Sequence, residues 1–411
     1  MADPPPEPTL LRPFGDDGKD DKNWFRVAFR FKRDEVLGWM KKVASKNNAN
    51  CPPNDLRTDD HFKLLLEVYT ELESLAATQG ANYLVPKDEC HIYRDKNPNF
   101  GPKKTQSKTV SPFVIKTWSH QYIGAPDPNV KDPPGPDAKV VTIGYWCIYD
   151  LIGLFLGLLG NAPLAADRNN FFLPLTAVYA RWCTRLAGKL DNTESHQGET
   201  PGIGAPPAMF QCTWRERQDG KAKWFLLGAS MAGGRFHKTP SEQDWKKTLQ
   251  MQRFDMLVTH LKPPLVGRDD FGKTEPDVKS NGTGNRWGNC AETYPFVHCL
   301  AVGDESNETV QGLALSKKFV DQKTPVTDYS GYSDGKIWDS VVPPCANCAK
   351  LVELSNAPAA FFAKEYEKDK ATAKTVPSGP PQEPEIQTEE VFVIRDVKEL
   401  PVREMVEVAS N

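Results

Sequence analysis

The chain of 411 residues has no excess of positive charge: 51 Lys and Arg stand against 54 Asp and Glu, a formal net charge of −3. A protein coated for non-specific polyanion binding carries the opposite bias, so any basic contact surface must be local. A long apolar run is also missing. The most apolar stretch, Ile148 to Leu159, is far shorter than the roughly 20 residues that span a bilayer. It also contains Asp150, and a buried core helix is predicted there. The start, Met1-Ala2-Asp3-Pro4-Pro5-Pro6, lacks a charged leader and an apolar segment, so no secretory signal is expected. Of the nine cysteines, Cys51, Cys90, Cys147, Cys183, Cys212 and Cys299 show no paired framework spacing. Reduced thiols in an intracellular compartment, cytoplasm or nucleus, are the expectation. No internal repeat is visible.

What the chain does have is enough apolar residues, 39%, to bury a sizeable core. Its 35 prolines break it often. Residues 1–22 are Pro-rich, then Asp-, Lys- and Gly-rich, and read as disordered. Residues 23–188 read as mainly helical, 189–207 as a linker, 208–370 as a second domain, and 371–411 as an acidic, mostly disordered tail. Within that tail, Val391-Phe392-Val393-Ile394 can dock as a strand.

In the first region, Trp24 to Phe31 alternates weakly. Asp34 reads as the cap of a helix through Val36, Leu37, Met40 and Val43. A second helix starts at Asp59-Asp60, with Phe62, Leu65, Leu66, Tyr69, Leu72 and Leu75 at helical spacing. Residues 86–112 are polar and loop-like, with a basic run at Lys103-Lys104-Thr105-Gln106-Ser107-Lys108 that reads as a solvated loop before it reads as a phosphate contact. Phe113 to Trp118 is a short strand or helix, and the prolines from Pro126 to Asp137 make a connector. Residues 140–188 predict two buried helices around a loop at Asn161-Ala162-Pro163, with Pro174 starting the second.

After the linker the period changes. Met209 to Arg215 alternates, Gln218-Asp219-Gly220 turns, and Lys223 to Gly228 answers as a β-hairpin. A helix follows, roughly Ser241 to His260, with Ser241 as cap and Trp245, Leu249, Phe254, Leu257 and Val258 as its buried face. Leu265 to Gly288 is a long polar loop, of the kind that is often functional. Thr309 to Leu315 predicts a strand, Phe319 to Val342 is loop-rich, and Ala359 to Lys370 predicts a last helix.

The chemistry concentrates in two phrases: Asn289-Cys290-Ala291-Glu292 and Pro344-Cys345-Ala346-Asn347-Cys348. Cys-x-Glu alone arises by chance in roughly one chain in three of this length, Pro-Cys-x-x-Cys in about one in a hundred. The ordered pair is therefore the signal. Cys290, Cys345 and Cys348 together supply three thiolates for a zinc ion, leaving a fourth position for water, as in a catalytic site. Each motif is predicted to open a helix, Asn289–Ala301 and Pro344–Leu354, where unpaired N–H groups favour thiolates. Pro344 fits a first turn. Three thiolates leave such a centre negative, and Arg286 is the compensating cation by position, or else a surface arginine. A structural zinc knot is the rival reading. It needs a fourth protein ligand, and His298 and Cys299 lie two turns further on. Buried free thiols are the third reading.

This pair of motifs resembles the signature of the zinc-dependent cytidine-deaminase-like superfamily, His/Cys-x-Glu followed by Pro-Cys-x-x-Cys. The phrase Asn285-Arg286-Trp287-Gly288-Asn289-Cys290-Ala291-Glu292-Thr293-Tyr294-Pro295-Phe296 is similar to the fungal branch. The resemblance covers about residues 205–370. It implies an α/β fold, a three-layer α/β/α domain with a mixed sheet, to which the apolar periodicity upstream adds a mainly helical N-terminal region. It implies Zn2+ held by Cys290, Cys345 and Cys348, and Glu292 as catalytic proton carrier. The implied reaction is hydrolytic conversion of cytosine to uracil. A nucleic acid, single-stranded DNA above all, is the expected substrate partner. Free cytidine or deoxycytidine, adenine, and a non-catalytic zinc-stabilised binding protein stay open. Asn285, Trp287, Asn289 and Trp338 are candidate substrate contacts, with Tyr294, Tyr329 and Tyr332 as further stacking rings, although each aromatic is more often core than platform.

Overall fold

The computed structural model describes residues 24–45, 59–76, 94–96, 113–115, 118–123, 140–160, 162, 166–187, 206–217, 224–231, 240–260, 287–302, 308–320, 336–355 and 357–363. The readings for 1–22, Lys103–Lys108, Pro126–Asp137, the linker through 205, the turn at Gln218-Asp219-Gly220, the loop from Leu265 to Arg286, Tyr329, Tyr332 and the tail from 364 onward fall outside these residues.

The elements in chain order are α1 (Trp24–Arg30), α2 (Arg33–Ala44), α3 (Asp59–Ala76), β1 (Arg94–Lys96), β2 (Phe113–Ile115), β3 (Trp118–Ile123), β4 (Val140–Tyr145), α4 (Ile148–Gly157), α5 (Leu173–Ala187), β5 (Met209–Arg217), β6 (Trp224–Ala229), α6 (Pro240–His260), α7 (Thr293–Val302), β7 (Glu308–Ser316), α8 (Lys336–Asp339), β8 (Val341–Val342) and α9 (Ala346–Leu354). A π-helical turn, Arg168–Phe172, leads into α5.

The framework is a four-stranded sheet in the order β6-β5-β7-β8. Among the described residues every pair in it is antiparallel, so the mixed sheet expected from the resemblance is not what these residues form. The reason is topological: β5 lies between β6 and β7 and opposes both. The crossover through α6 and α7 therefore joins two strands of like direction that do not touch. Register fixes the faces. Phe210, Cys212 and Trp214 point to the α5 side, where Phe172 stacks on Trp214 at 4.0 Å and Tyr179 meets Phe210 edge-on at 5.8 Å. Gln211, Thr213 and Arg215 point to the α7 side, where the Arg215 guanidinium donates to the Cys299 carbonyl. Helices thus lie on both faces, and one continuous apolar core runs from α1 to the turn at Phe362.

The apolar run at Ile148 forms α4, buried along nearly its whole length. It lies against the edge strand β6. Gly153 permits this: a Cβ there would collide with the Leu227 carbonyl. A covered edge cannot template pairing with another chain. Pro174 is the second residue of α5 and follows directly on the π-helical turn, whose Arg168 carbonyl accepts the Leu173 N–H; proline has no N–H to continue that ladder.

Several local expectations are corrected. The weak alternation of Trp24 to Phe31 lies mostly in a helix: Trp24–Arg30 is helical, because Phe25, Ala28 and Phe29 share one buried stripe. Lys32, not Asp34, caps α2, and its N–H donates to the Glu35 carboxylate at 2.7 Å. The loop-like stretch 86–112 contains β1, paired with β2. Residues 140–145 form β4 against β3 rather than the start of a helix. Helix α6 begins at Pro240, one residue before Ser241, so Ser241 is not its cap. Of the final helix expected over Ala359–Lys370, the described residues form a 3-10 turn, Ala359–Phe362.

Candidate metal centre

The first motif lies in a tight turn that precedes a helix. Helix α7 begins at Thr293, not Asn289, so Cys290 and Glu292 precede it. Gly288 makes the turn, with φ +77°, a conformation glycine adopts without steric penalty. A Cβ there would also collide with the Gln250 carbonyl. The Cys290 carbonyl accepts from Thr293 Oγ1 at 2.9 Å, and the Glu292 carbonyl accepts the Phe296 N–H at 3.0 Å. The second motif opens α9 with Cys345, not Pro344, as N-cap. The Cys345 carbonyl accepts from the Ala349 N–H at 2.7 Å.

These two turns bring Cys290, Cys345 and Cys348 together, with all three sulfurs within 4.8 Å of one another. Cys290 Sγ and Cys345 Sγ are 3.6 Å apart. A tetrahedral ion about 2.3 Å from each sulfur needs sulfurs about 3.8 Å apart, so the spacing fits a metal. Among the described residues no fourth His, Cys, Asp or Glu joins the group. His298 and Cys299 do not. His298 Nε2 lies 2.5 Å from the Tyr145 hydroxyl, and the carbonyl of buried Cys299 meets Arg215. The cluster can hold a metal ion.

Glu292 is only 6% exposed, unlike the solvated glutamate usual on a helix turn. Burial, reinforced by the neighbouring Cys345 sulfur, pushes its carboxyl up to about 7, while a hydrogen bond from Cys348 pulls the other way. Mutual hydrogen bonding, with Cys345 as the leading partner of Cys290 and Cys290 of Cys348, raises both thiols well above their usual range. A bound cation reverses that balance by favouring thiolate.

The proposed substrate contacts scatter. Trp287 is 6% exposed and packs on Phe254 at 6.0 Å, so its ring is core rather than a stacking wall. Tyr294 is likewise core: its hydroxyl donates to the Gly144 carbonyl at 2.6 Å and its ring stacks on Tyr145 at 5.1 Å. Asn289 adjoins Cys290 and is pinned, its Oδ1 accepting from Gln250 Nε2 at 3.1 Å and its carbonyl from the Met231 N–H at 2.9 Å. Trp338 is half-buried in α8 with the Arg168 guanidinium 5.8 Å from its ring centre. Asn285 and Arg286 lie outside the described residues.

The buried cation beside the motif is Arg253 of α6. Its Nη2 donates to the Cys290 carbonyl at 3.0 Å and the Ala229 carbonyl at 3.1 Å. Its Nη1 lies 3.8 Å from Asp150 Oδ1 of α4. Burial holds the Asp150 carboxyl above its usual range against the pull of Arg253, while Asp150 keeps Arg253 firmly cationic against its own burial. Sequence reasoning missed this pair, yet two signals pointed to it. Asp150 interrupts the most apolar run of the chain, where a charge demands a partner. Arg253 falls on the stripe of Leu249, Phe254 and Leu257.

Among the described residues no helix is long and apolar enough to cross a membrane. No family model, curated protein or solved structure matches this chain.

Proposed function

We propose that the chain is a zinc-dependent hydrolytic deaminase of the cytidine-deaminase-like superfamily, built on its three-layer α/β/α fold, that converts cytosine to uracil. The observation that carries this reading is a buried carboxyl, Glu292, hydrogen-bonded within a cluster of three converging sulfurs. A purely structural knot has no use for an acid held near neutrality, whereas general acid–base chemistry requires one. Helices on both sheet faces and a hairpin ahead of the first motif are compatible with the fold.

Cys290, Cys345 and Cys348 would hold the zinc ion. A zinc ion there supplies a Lewis acid that lowers the pKa of water to about 7. Glu292 takes a proton from the attacking water as its oxygen bonds to C4. It gives that proton to N3, then carries the second proton from the new C4 hydroxyl to the exocyclic amine, which leaves as ammonia as the C4–N bond breaks, so that cytosine and water become uracil and ammonia. Burial keeps the carboxyl able to hold a proton at neutral pH, as both halves of that relay demand. The substrate is a nucleic acid, with single-stranded DNA first, because the chain is larger than a free nucleoside requires and the sequence ahead of the motif, Leu265 to Gly288, is a long polar stretch.

The test incubates purified protein with cytidine, single-stranded DNA, duplex DNA and RNA, and measures uracil in each. Uracil in single-stranded DNA, reduced about 10²- to 10⁴-fold by Glu292→Ala with metal retained, is the expected result. Product from cytidine alone overturns the polymer, and no product from any substrate overturns the reaction.

A further inference from the structure

We infer that Arg253 is the positioning residue of the metal centre, clamping the Cys290 carbonyl to β6 while Asp150 of α4 holds the clamp in place. The inference rests on the three cysteines forming a metal centre, not on the reaction performed there.

Cys290 sits before α7 begins, so the helix ladder fixes it only through its carbonyl. That carbonyl is where Arg253 attaches. One guanidinium nitrogen bridges the carbonyls of Cys290 and Ala229, tying the ligand-bearing turn to the last residue of β6. The other nitrogen faces Asp150, and both side chains are 1% exposed. The guanidinium also lies over the Tyr294 ring, 5.1 Å from its centre. Arginine suits this place because its planar fork addresses separate acceptors at once and keeps its charge when buried.

The same face of α6 makes three further contacts with this turn: Gln250 Nε2 to Asn289 Oδ1 at 3.1 Å, Phe254 against Trp287, and the Gln250 carbonyl beneath Gly288. Residues 250, 253 and 254 share one helical stripe, so α6 is a cradle for the first motif. Three thiolates around a dication leave net negative charge next to Glu292, and a fixed cation one carbonyl away offsets part of it. Asp150 comes from the helical N-terminal half, which is thereby built into the centre.

The test uses the full chain, loaded with cobalt(II) for spectroscopy and with zinc for affinity by competition against a chromophoric chelator. Replacing a buried ion pair by apolar residues is often neutral for stability, so Arg253→Met combined with Asp150→Leu should melt near the parent. Its zinc affinity should fall about 10- to 100-fold, the usual effect of losing an outer-shell partner. Its thiolate-to-cobalt absorption should fall from the intensity of three thiolates towards two. Arg253→Lys keeps the charge without the fork, and its affinity should fall about tenfold. It decides the matter by the same measurements if the double variant does not fold. Arg33→Met, which removes a buried arginine bonded to the Ala76 carbonyl, should lose stability yet bind metal as the parent does. A folded Arg253 variant with parental affinity and spectrum overturns the inference alone. A parent chain that takes up no metal overturns the metal-centre reading with it.

Discussion

Replacing Glu292 by Gln should change the pH dependence of stability in the metal-free protein by a calculable amount. The folded carboxyl sits at about 7 against an ordinary 4.5, so in the unfolded chain it ionises first. A raised folded value means that its favourable contribution is fully present below about pH 4.5. That contribution disappears as pH climbs through 7. Linkage gives a penalty of about 1 kcal/mol at pH 5 and about 3 kcal/mol at pH 8. Glutamine does not titrate and escapes both. The hydrogen bond from Cys348 favours the ionised carboxyl and is already contained in the folded value of about 7. The stability of Glu292→Gln relative to the parent should therefore improve by about 2 to 3 kcal/mol between pH 5 and pH 8. The assay is urea unfolding of chelator-treated, reduced protein at both pH values, read from midpoints at unchanged slope. A variant-to-parent difference that is the same at pH 5 and pH 8 refutes the claim that burial has moved this carboxyl.

Metal uptake should release about two protons or more per ion, two of them from Cys290 and Cys348, since both thiols are held protonated at neutral pH without metal. Calorimetric titration in buffers of different ionisation enthalpy measures the number, and a value near zero contradicts the raised thiols. Gly288→Ala should destabilise by about 2 kcal/mol or more, from its positive φ and the collision with the Gln250 carbonyl. Gly160→Ala, with positive φ and open space around the added Cβ, should cost only the backbone part, about 1 kcal/mol. Equal unfolding midpoints for the two variants would show that the turn does not press on α6.

Much of the scaffold was readable where one physical signal dominated. The stripe Phe62, Leu65, Tyr69 and Leu72 marked α3, and Met209 to Gly228 marked the hairpin, because period and turn chemistry agreed there. Reading failed where signals were short or mixed. Strands β1, β3 and β4 lacked clean alternation, and α1 carries too few turns for its period to emerge over Trp24 and Phe31. The surroundings of the candidate substrate contacts were hidden for another reason. Trp287 and Tyr294 were picked by proximity to the motif, but proximity in sequence does not say which side of a turn a ring occupies, and both face the core.

By itself the sequence determined which donors to consider: Cys290, Cys345, Cys348 and Glu292 follow from residue type and spacing, because Cys-x-Glu and Pro-Cys-x-x-Cys occur as an ordered pair. The tertiary structure alone decided that the sulfurs stand within reach of one ion, that Glu292 is buried, and that Asp150 and Arg253 meet behind Cys290. Those are distances between segments far apart in the chain. They are set by how α4, α6 and β6 pack, and no local pattern encodes them.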